Sequence, residues 1–294
     1  MDWTTENLKN QDGKTFLITG ANTGIGFETA LELSKKSGFV ILAGRSREKI
    51  NQAILDITSI VPNAKLEAGI VDLTDLKSVK AFAESINQKH SRLDVLINNA
   101  GVMFPPPSKT KEGYELQFGV NFIAHFALAA HLFDLIKKTK NSRIVTLSSI
   151  AHKNGIIDFE NLKLEKPFEK FREYGQSKVA DLIFAIELQR RLQETDTNVI
   201  SVGAHPGISK TELLRTDNPE MIDQFPHMTA NQGAFSSLYA ATEEIAGGSY
   251  IGPNGENEMT GFPSPAFITD YANDEIIGKM LWAYTEKELG IDFL

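Results

Sequence analysis

Short runs of consecutive apolar residues alternate along this chain with longer stretches in which apolar positions recur every three or four residues. The short runs at 14–19 (KTFLIT), 39–43 (FVILA), 66–71 (LEAGIV), 94–97 (DVLI), 143–147 (RIVTL) and 198–202 (NVISV) predict six strands, with a seventh near Tyr250. Between them, helical spacing covers 27–36, 47–60 (ending before Pro62), 76–89, 113–138 with a division near Asn121, 171–193, and a last helix at 229–246. Strands that read as continuous apolar runs are buried on both faces, as in a parallel sheet covered by helices. The predicted class is therefore α/β: a doubly wound parallel sheet of about seven strands with helices on both faces. No internal repeat, low-complexity tract or linker divides it, so residues 1–294 are expected to form one domain.

Three stretches break the alternation. Pro105, Pro106 and Pro107 stiffen a loop after the fourth strand, and 153–170 is a polar insertion after the fifth. Residues 206–228, bracketed by Pro206-Gly207 and Pro226, are long and mixed, as a substrate-covering flap would be. Its apolar members, Ile208, Leu213, Leu214, Met221, Ile222, Phe225 and Met228, suit a hydrophobic substrate or hold the flap down.

Composition narrows the function classes. A net charge of -8 argues against non-specific binding to nucleic acid or an anionic membrane. With no cysteine there are no disulfides, no thiolate catalysis and no cysteine-bound zinc. None of the six histidines pairs with an acid or another histidine at metal-ligand spacing, so no metal site is expected. The apolar stretch 122–136 is broken by His125, His131 and Asp134; it reads as a buried or interface helix, too short and polar to span a bilayer. The opening residues MDWTTENLKNQDGK show no apolar leader, and a soluble cytoplasmic protein is expected.

The chemistry gathers where strands end. Gly20-Ala-Asn-Thr-Gly24-Ile-Gly26 follows the first strand and opens a helix, the context of a dinucleotide-binding turn and so of a Rossmann fold. Gly20 suits a tight turn, Gly24 a close backbone approach to pyrophosphate, and Gly26 close packing of helix on strand. After the second strand, where a carboxylate would hold the 2′-hydroxyl of NAD, the chain has Gly44-Arg45-Ser46-Arg47, which favours the 2′-phosphate of NADP(H). Asp72, with Leu73 beside it, ends the third strand, either meeting an adenine amino group or capping the next helix. Asn98-Asn99-Ala100-Gly101 closes the fourth strand with small residues and amides that suit passage of a ribose. Ser148 and Ser149 end the fifth strand, at the edge where ligands bind in open α/β sheets. Tyr174 and Lys178 lie four apart on a helix, a phenol one turn from an ammonium that favours its ionised form.

Together TGANTGIG (19–26), NNAG (98–101), Asn121, the serine pair, YxxxK (174–178) and PG (206–207) resemble the short-chain dehydrogenase/reductase family, in its order over nearly the whole chain. TGANTGIG, the AGRS run, HPG and the wide serine-to-tyrosine gap are similar to its retinol-dehydrogenase-like branch, which includes the WW-domain oxidoreductase. The resemblance implies an NADP(H)-dependent oxidoreductase acting on a carbonyl or alcohol, with a tetrad of Asn121, Ser149, Tyr174 and Lys178 and with Ser148 structural. It implies cofactor contacts from Asn22, Thr23 and Ile25 in the glycine turn, from Asn99, Ala100 and Gly101, from Pro206 and Gly207, and from Thr211 at the nicotinamide end. Tyr174 would donate the proton, Lys178 would lower its pKa and hold the ribose, Ser149 would polarise the carbonyl, and Asn121 would position a water beside Lys178. Residues 153–171 would line the pocket rim, and a homodimer would form through the helices at 113–138 and 171–193. The alternative is an NADP(H)-binding sensor or scaffold without turnover; retention of both Tyr174 and Ser149 weighs against it.

Overall fold

The computed structural model describes residues 2–211, 213 and 224–294. In chain order its main elements are β1 (Thr15–Thr19), α1 (Gly24–Lys35), β2 (Phe39–Gly44), α2 (Arg47–Ile60), β3 (Lys65–Ile70), α3 (Leu76–Lys89) and β4 (Val95–Asn98). A π-helical turn (Phe118–Ile123) leads into α4 (Ala124–Lys138), followed by β5 (Arg143–Leu147), a 3₁₀ turn (Ile150–Asn154) and α5 (Lys170–Gln193). The chain ends with β6 (Ile200–Ala204), α6 (Ala230–Thr242), β7 (Tyr250–Pro253), β8 (Pro263–Pro265) and α7 (Glu275–Leu289).

The strands form one sheet in the order β3-β2-β1-β4-β5-β6-β7-β8. The first seven run parallel, and β1 lies between β2 and β4, so the chain reverses its winding direction there. That switch point opens a crevice at the carboxyl ends of the strands. Side chains alternate between two cores. Leu17, Ile41, Leu96 and Ile144 join the layer with α3, α4, α5 and α7; Phe16, Ile18, Val40, Ile97 and Val145 join the layer with α1, α2 and α6. Both faces of the central strands are buried, which is why these strands read as unbroken apolar runs.

Four features depart from the sequence reading. The sheet has an eighth strand, β8, antiparallel to β7, and 229–246 is not the last helix, because α7 follows it. Asp274 caps α7 by accepting from the N–H groups of Ile276 and Ile277, and Gly290 ends it at φ 62°. Trp282 of α7 stacks on Phe184 and meets Phe126 edge-on at 4.9 Å, while Phe293 packs on Phe126 and Phe133. The chain's own C-terminus thus lies on the outer side of the two long helices, so a second copy docking there would meet α7. Finally, the helical segment Phe118–Lys138, at 21 residues, is long and apolar enough to cross a membrane, contrary to the shorter stretch considered from sequence. Within the fold 83% of its most apolar window is buried, which makes it a core helix.

Candidate active site

The glycine turn is shaped by backbone that side chains would obstruct. Gly20 (φ 67°) and Gly24 (φ 58°) both occupy the left-handed region. At Gly26 a Cβ would lie 2.5 Å from both Asn99 Nδ2 and the Gly20 carbonyl oxygen, so only glycine lets α1 sit this close to the strand ends. Thr23, the residue before α1, makes no side-chain capping bond, which leaves the helix's first N–H groups and its partial positive charge to the crevice. Thr211, from the descending Pro206-Gly207 loop, stands over Gly24, its Cβ 3.3 Å from where a glycine Cβ would be.

Next to the turn, the end of β2 is equally tight. A Cβ on Gly44 would lie 3.3 Å from Asn22 Oδ1, so the glycine turn and the exposed Arg45 are neighbours. Ser46 accepts from the Lys49 N–H as the cap of α2, with Arg47 opening the helix. Asp72 is not a helix cap: its Oδ1 accepts from the Thr74 N–H and hydroxyl, and Asp75 caps α3 instead. Leu73 beside it is half-buried against the core. Asn99 fastens β4 to β1 by donating its side-chain amide to the Thr19 carbonyl at 2.7 Å.

Thr19 is a hub that sequence reasoning overlooked. Its hydroxyl oxygen accepts from the N–H groups of Asn99 and Ala100, each at 3.0 Å, and lies 2.9 Å from His125 Nε2. His125 Nδ1 is 2.7 Å from the Asn121 carbonyl, so Nδ1 carries the proton and Nε2 accepts from Thr19. Burial holds His125 down to about 4, against the bond to that carbonyl, and the ring is neutral. The histidine is a packed strut, as its place in an apolar helix predicted.

The residues of the expected tetrad lie around the ends of β4 and β5, joined by contacts of Asn121 and Lys178. The Asn121 side chain is fully engaged: its amide donates to the Val102 carbonyl and to Ser177 Oγ, and its Oδ1 accepts from the Val102 N–H at 2.8 Å. It ties the loop after β4 to the residue preceding Lys178, from a π-helical turn of the kind that often marks functional positions. Ser148 is buried and donates to the Lys178 carbonyl at 2.6 Å, whereas Ser149 Oγ accepts from the Ala151 N–H, which leaves its own proton to donate. The 3₁₀ turn after Ser149 lies hard against the tyrosine helix: a Cβ on Gly155 would come within 2.3 Å of the Gly175 carbonyl.

Tyr174 is 8% exposed, and among the described residues none hydrogen-bonds its hydroxyl. Phe104 stands edge-on to its ring at 5.5 Å and to Phe171 at 4.7 Å. Phe104 has φ 54°, uncommon for a side-chain-bearing residue, and its N–H is held by Gln117 Oε1. Lys178, fully buried, donates to the Leu147 carbonyl at 3.0 Å and to Asp181 Oδ2 at 2.8 Å. Burial alone would lower its pKa, but the charges of Asp181 and Tyr174 outweigh burial and raise it. Asp181, also missed from sequence, is pushed up to about 7 by burial despite the pull of Lys178.

A second cluster holds the loop at 205–207. Gly207 (φ 60°) has no room for a Cβ, which would meet the Met259 carbonyl at 2.3 Å, and that carbonyl accepts from the Ile208 N–H. Glu258, itself at φ 60°, pairs with Lys153 at 2.9 Å, approaches His205 Nε2 at 3.5 Å and accepts from the Phe267 N–H. Burial would raise its pKa, but the nearby His205 and Lys153 and the bond from the Phe267 N–H prevail and hold it at about 2. A carboxyl lowered on folding contributes stability above its unfolded value, near 4.5, and loses it as pH falls towards 2. Glu258→Gln is therefore expected to lower Tm by about 2–6 °C at pH 7, with the gap to wild type closing below pH 4 in thermal melts.

Of the proposed flap, Leu214, Met221 and Ile222 fall outside the described residues. Met228 is buried: its N–H donates to the Ile208 carbonyl and its carbonyl accepts from the Lys210 N–H, closing the neck. Leu213 and Phe225 are exposed.

Residues 14–222 match the family described as short chain dehydrogenase. Human retinol dehydrogenase 13 is 39% identical, the alignment covering 95% of this chain and 86% of that protein. A crystal structure of a protein from Mycobacterium Paratuberculosis superposes over 100% of both chains, at 34% identity and a TM-score of 0.85. A short-chain dehydrogenase from Shigella flexneri, solved in complex with NADP, shares the fold at 22% identity and a TM-score of 0.64, over 81% of this chain and 94% of that one.

Proposed function

Because this chain belongs to the short-chain dehydrogenase family, we propose that it is an NADP(H)-dependent oxidoreductase for hydrophobic carbonyls or alcohols, with Tyr174 as general acid and base. The observation that carries this reading is a phenol with no hydrogen-bond partner among the described residues, one helical turn from a buried, charged lysine, with a serine that keeps a proton to donate at the end of β5. The cofactor, when bound, supplies or accepts the hydride. Gly20, Gly24, Ile25 and Gly26 with the N-terminus of α1 would hold its pyrophosphate, and Arg45 its 2′-phosphate. Asp72 Oδ2 is left for the adenine end, and Ala100, Gly101, Pro206 and Thr211 line the path to the nicotinamide.

In the reducing direction Ser149 donates to the substrate oxygen as negative charge develops there, and Tyr174 delivers the proton. Lys178 stabilises the phenolate that results, because a positive charge within a helical turn favours it. Asn121 keeps Lys178's helix and the loop after β4 in register. Phe104, and Phe171 at 63% exposure, form an aromatic wall beside Tyr174, which supports an apolar substrate. Retinol in the relatives' names agrees with that class, and the proposal stays with the class. Homodimerisation would need a face other than the one α7 covers.

The test is NADPH oxidation, followed by absorbance, across a panel of aldehydes and ketones graded by apolar size, with the matching alcohols and NADP in reverse. Turnover that improves with apolar size is expected. NADPH binding with no turnover on any member would return the protein to a sensor or scaffold.

A further inference from the structure

Asp181 is a buried acid in direct contact with Lys178 to which the mechanism above gives no role. Asp181 lies one turn beyond Lys178 on α5; the side chains of the pair are 1% and 6% exposed. Its Oδ2 accepts from the ammonium at 2.8 Å, and its Oδ1 is buried with no hydrogen-bond partner. An ionised carboxylate left half-satisfied in the interior is costly, and a neutral residue there would avoid that cost. Its placement against Lys178 therefore calls for a reason beyond packing.

Geometry supplies one. An ammonium has three N–H groups. Lys178 spends one on the Leu147 carbonyl at the end of β5 and one on Asp181, which fixes the direction of the third. The other titratable groups turned towards the pair are Tyr174 on α5, Tyr250 on β7 and His125 on α4. His125 is neutral, and burial holds the Tyr250 phenol protonated, so neither can balance the ammonium. Asp181 is its counter-charge.

We propose that Asp181 is a positioning residue: it keeps Lys178 charged and its third N–H aimed at the cofactor ribose through the alkaline range, and so sets the upper pH limit of reduction. The proposal rests on the reading of this site as an NADP(H)-dependent reductase. Without the carboxylate, Lys178 is buried with no counter-charge and loses its proton at lower pH, so the basic limb moves towards neutrality. Below the pH at which an unpartnered Lys178 would lose its proton the amide variant still carries the ammonium, and above it the variant departs from the wild type.

The experiment compares wild type, Asp181→Asn and Asp181→Glu between pH 6 and 10. It measures kcat/KM for carbonyl reduction and, separately, the Kd of NADPH by fluorescence. The Asn variant should match wild type within about threefold at pH 6 and fall about tenfold or more below it at pH 9, a basic limb displaced by about one unit. The Glu variant, which keeps the charge, should stay nearer the wild-type limb. Curves for wild type and Asn that run parallel, offset by one factor at every pH or not at all, would assign Asp181 to packing and overturn the proposal. Should the Asn protein not fold, Asp181→Ser serves the same comparison. Absence of wild-type turnover would count against the reductase reading alone, because the pH course of NADPH affinity then decides the role of Asp181.

Discussion

Tyr174→Phe should reduce carbonyl turnover by about 10²–10⁴-fold while leaving the Kd of NADPH within about threefold of wild type. Loss and retention both follow from the surroundings of this side chain. The ring packs edge-on to Phe104, and phenylalanine preserves that contact. The hydroxyl bonds to none of the described residues, so its removal strands no buried partner and should cost little stability. What disappears is the proton. Ser149 keeps its hydroxyl and Lys178 its salt bridge, so substrate can still be oriented and the cofactor still held. The check is a single-turnover measurement with saturating NADPH beside a fluorescence titration. A variant that turns over at the wild-type rate would remove Tyr174 from the chemistry, and one that loses NADPH binding as well would make it a cofactor ligand.

The sheet and the candidate tetrad were legible in the sequence for different physical reasons. Leu17 and Ile18, or Ile41 and Leu42, point to opposite cores and are all fully buried, so no polar alternation blurs the strands. Tyr174 and Lys178 announce themselves through helical spacing and rare chemistry. Asp181 carries the same kind of signal, three residues after the lysine, but i,i+3 pairs are usually solvated, and only burial changes its meaning. The C-terminal part was harder. β8 is Pro-Ser-Pro, a poor strand by propensity, and exists because its register is set by pairing with Ile251, Gly252 and Pro253. On α7, exposed Ile276 and Met280 blur the apolar face, although Asp274 and Gly290 mark its ends. The contacts Glu258 makes to Lys153 and His205 span 105 and 53 positions of the chain, a distance at which no local pattern operates.

Arg45→Asp should move the ratio of kcat/KM for NADPH over NADH by roughly 10²–10³-fold towards NADH, from charge-assisted bonds lost to one cofactor and a hydroxyl partner gained for the other. The strand end leaves few other routes to discrimination. Gly44 is buried and packed beside Asn22, so in the proposed mode the ribose edge of the cofactor would pass Arg45, the first exposed side chain after β2. Ser46 is committed to capping α2, and the glycine loop itself contains no lysine or arginine that could take over the phosphate. An aspartate at 45 would repel a 2′-phosphate and accept from the 2′-hydroxyl that NADH offers in its place. Because Arg45 is exposed, the exchange should leave Tm nearly unchanged, which separates a change of preference from a loss of fold. The measurement is steady-state reduction with each cofactor at subsaturating concentration. A ratio that stays at its wild-type value would take the phosphate away from Arg45 and leave the choice between NADPH and NADH to groups elsewhere on the rim, with Arg47 at the start of α2 the next to be changed.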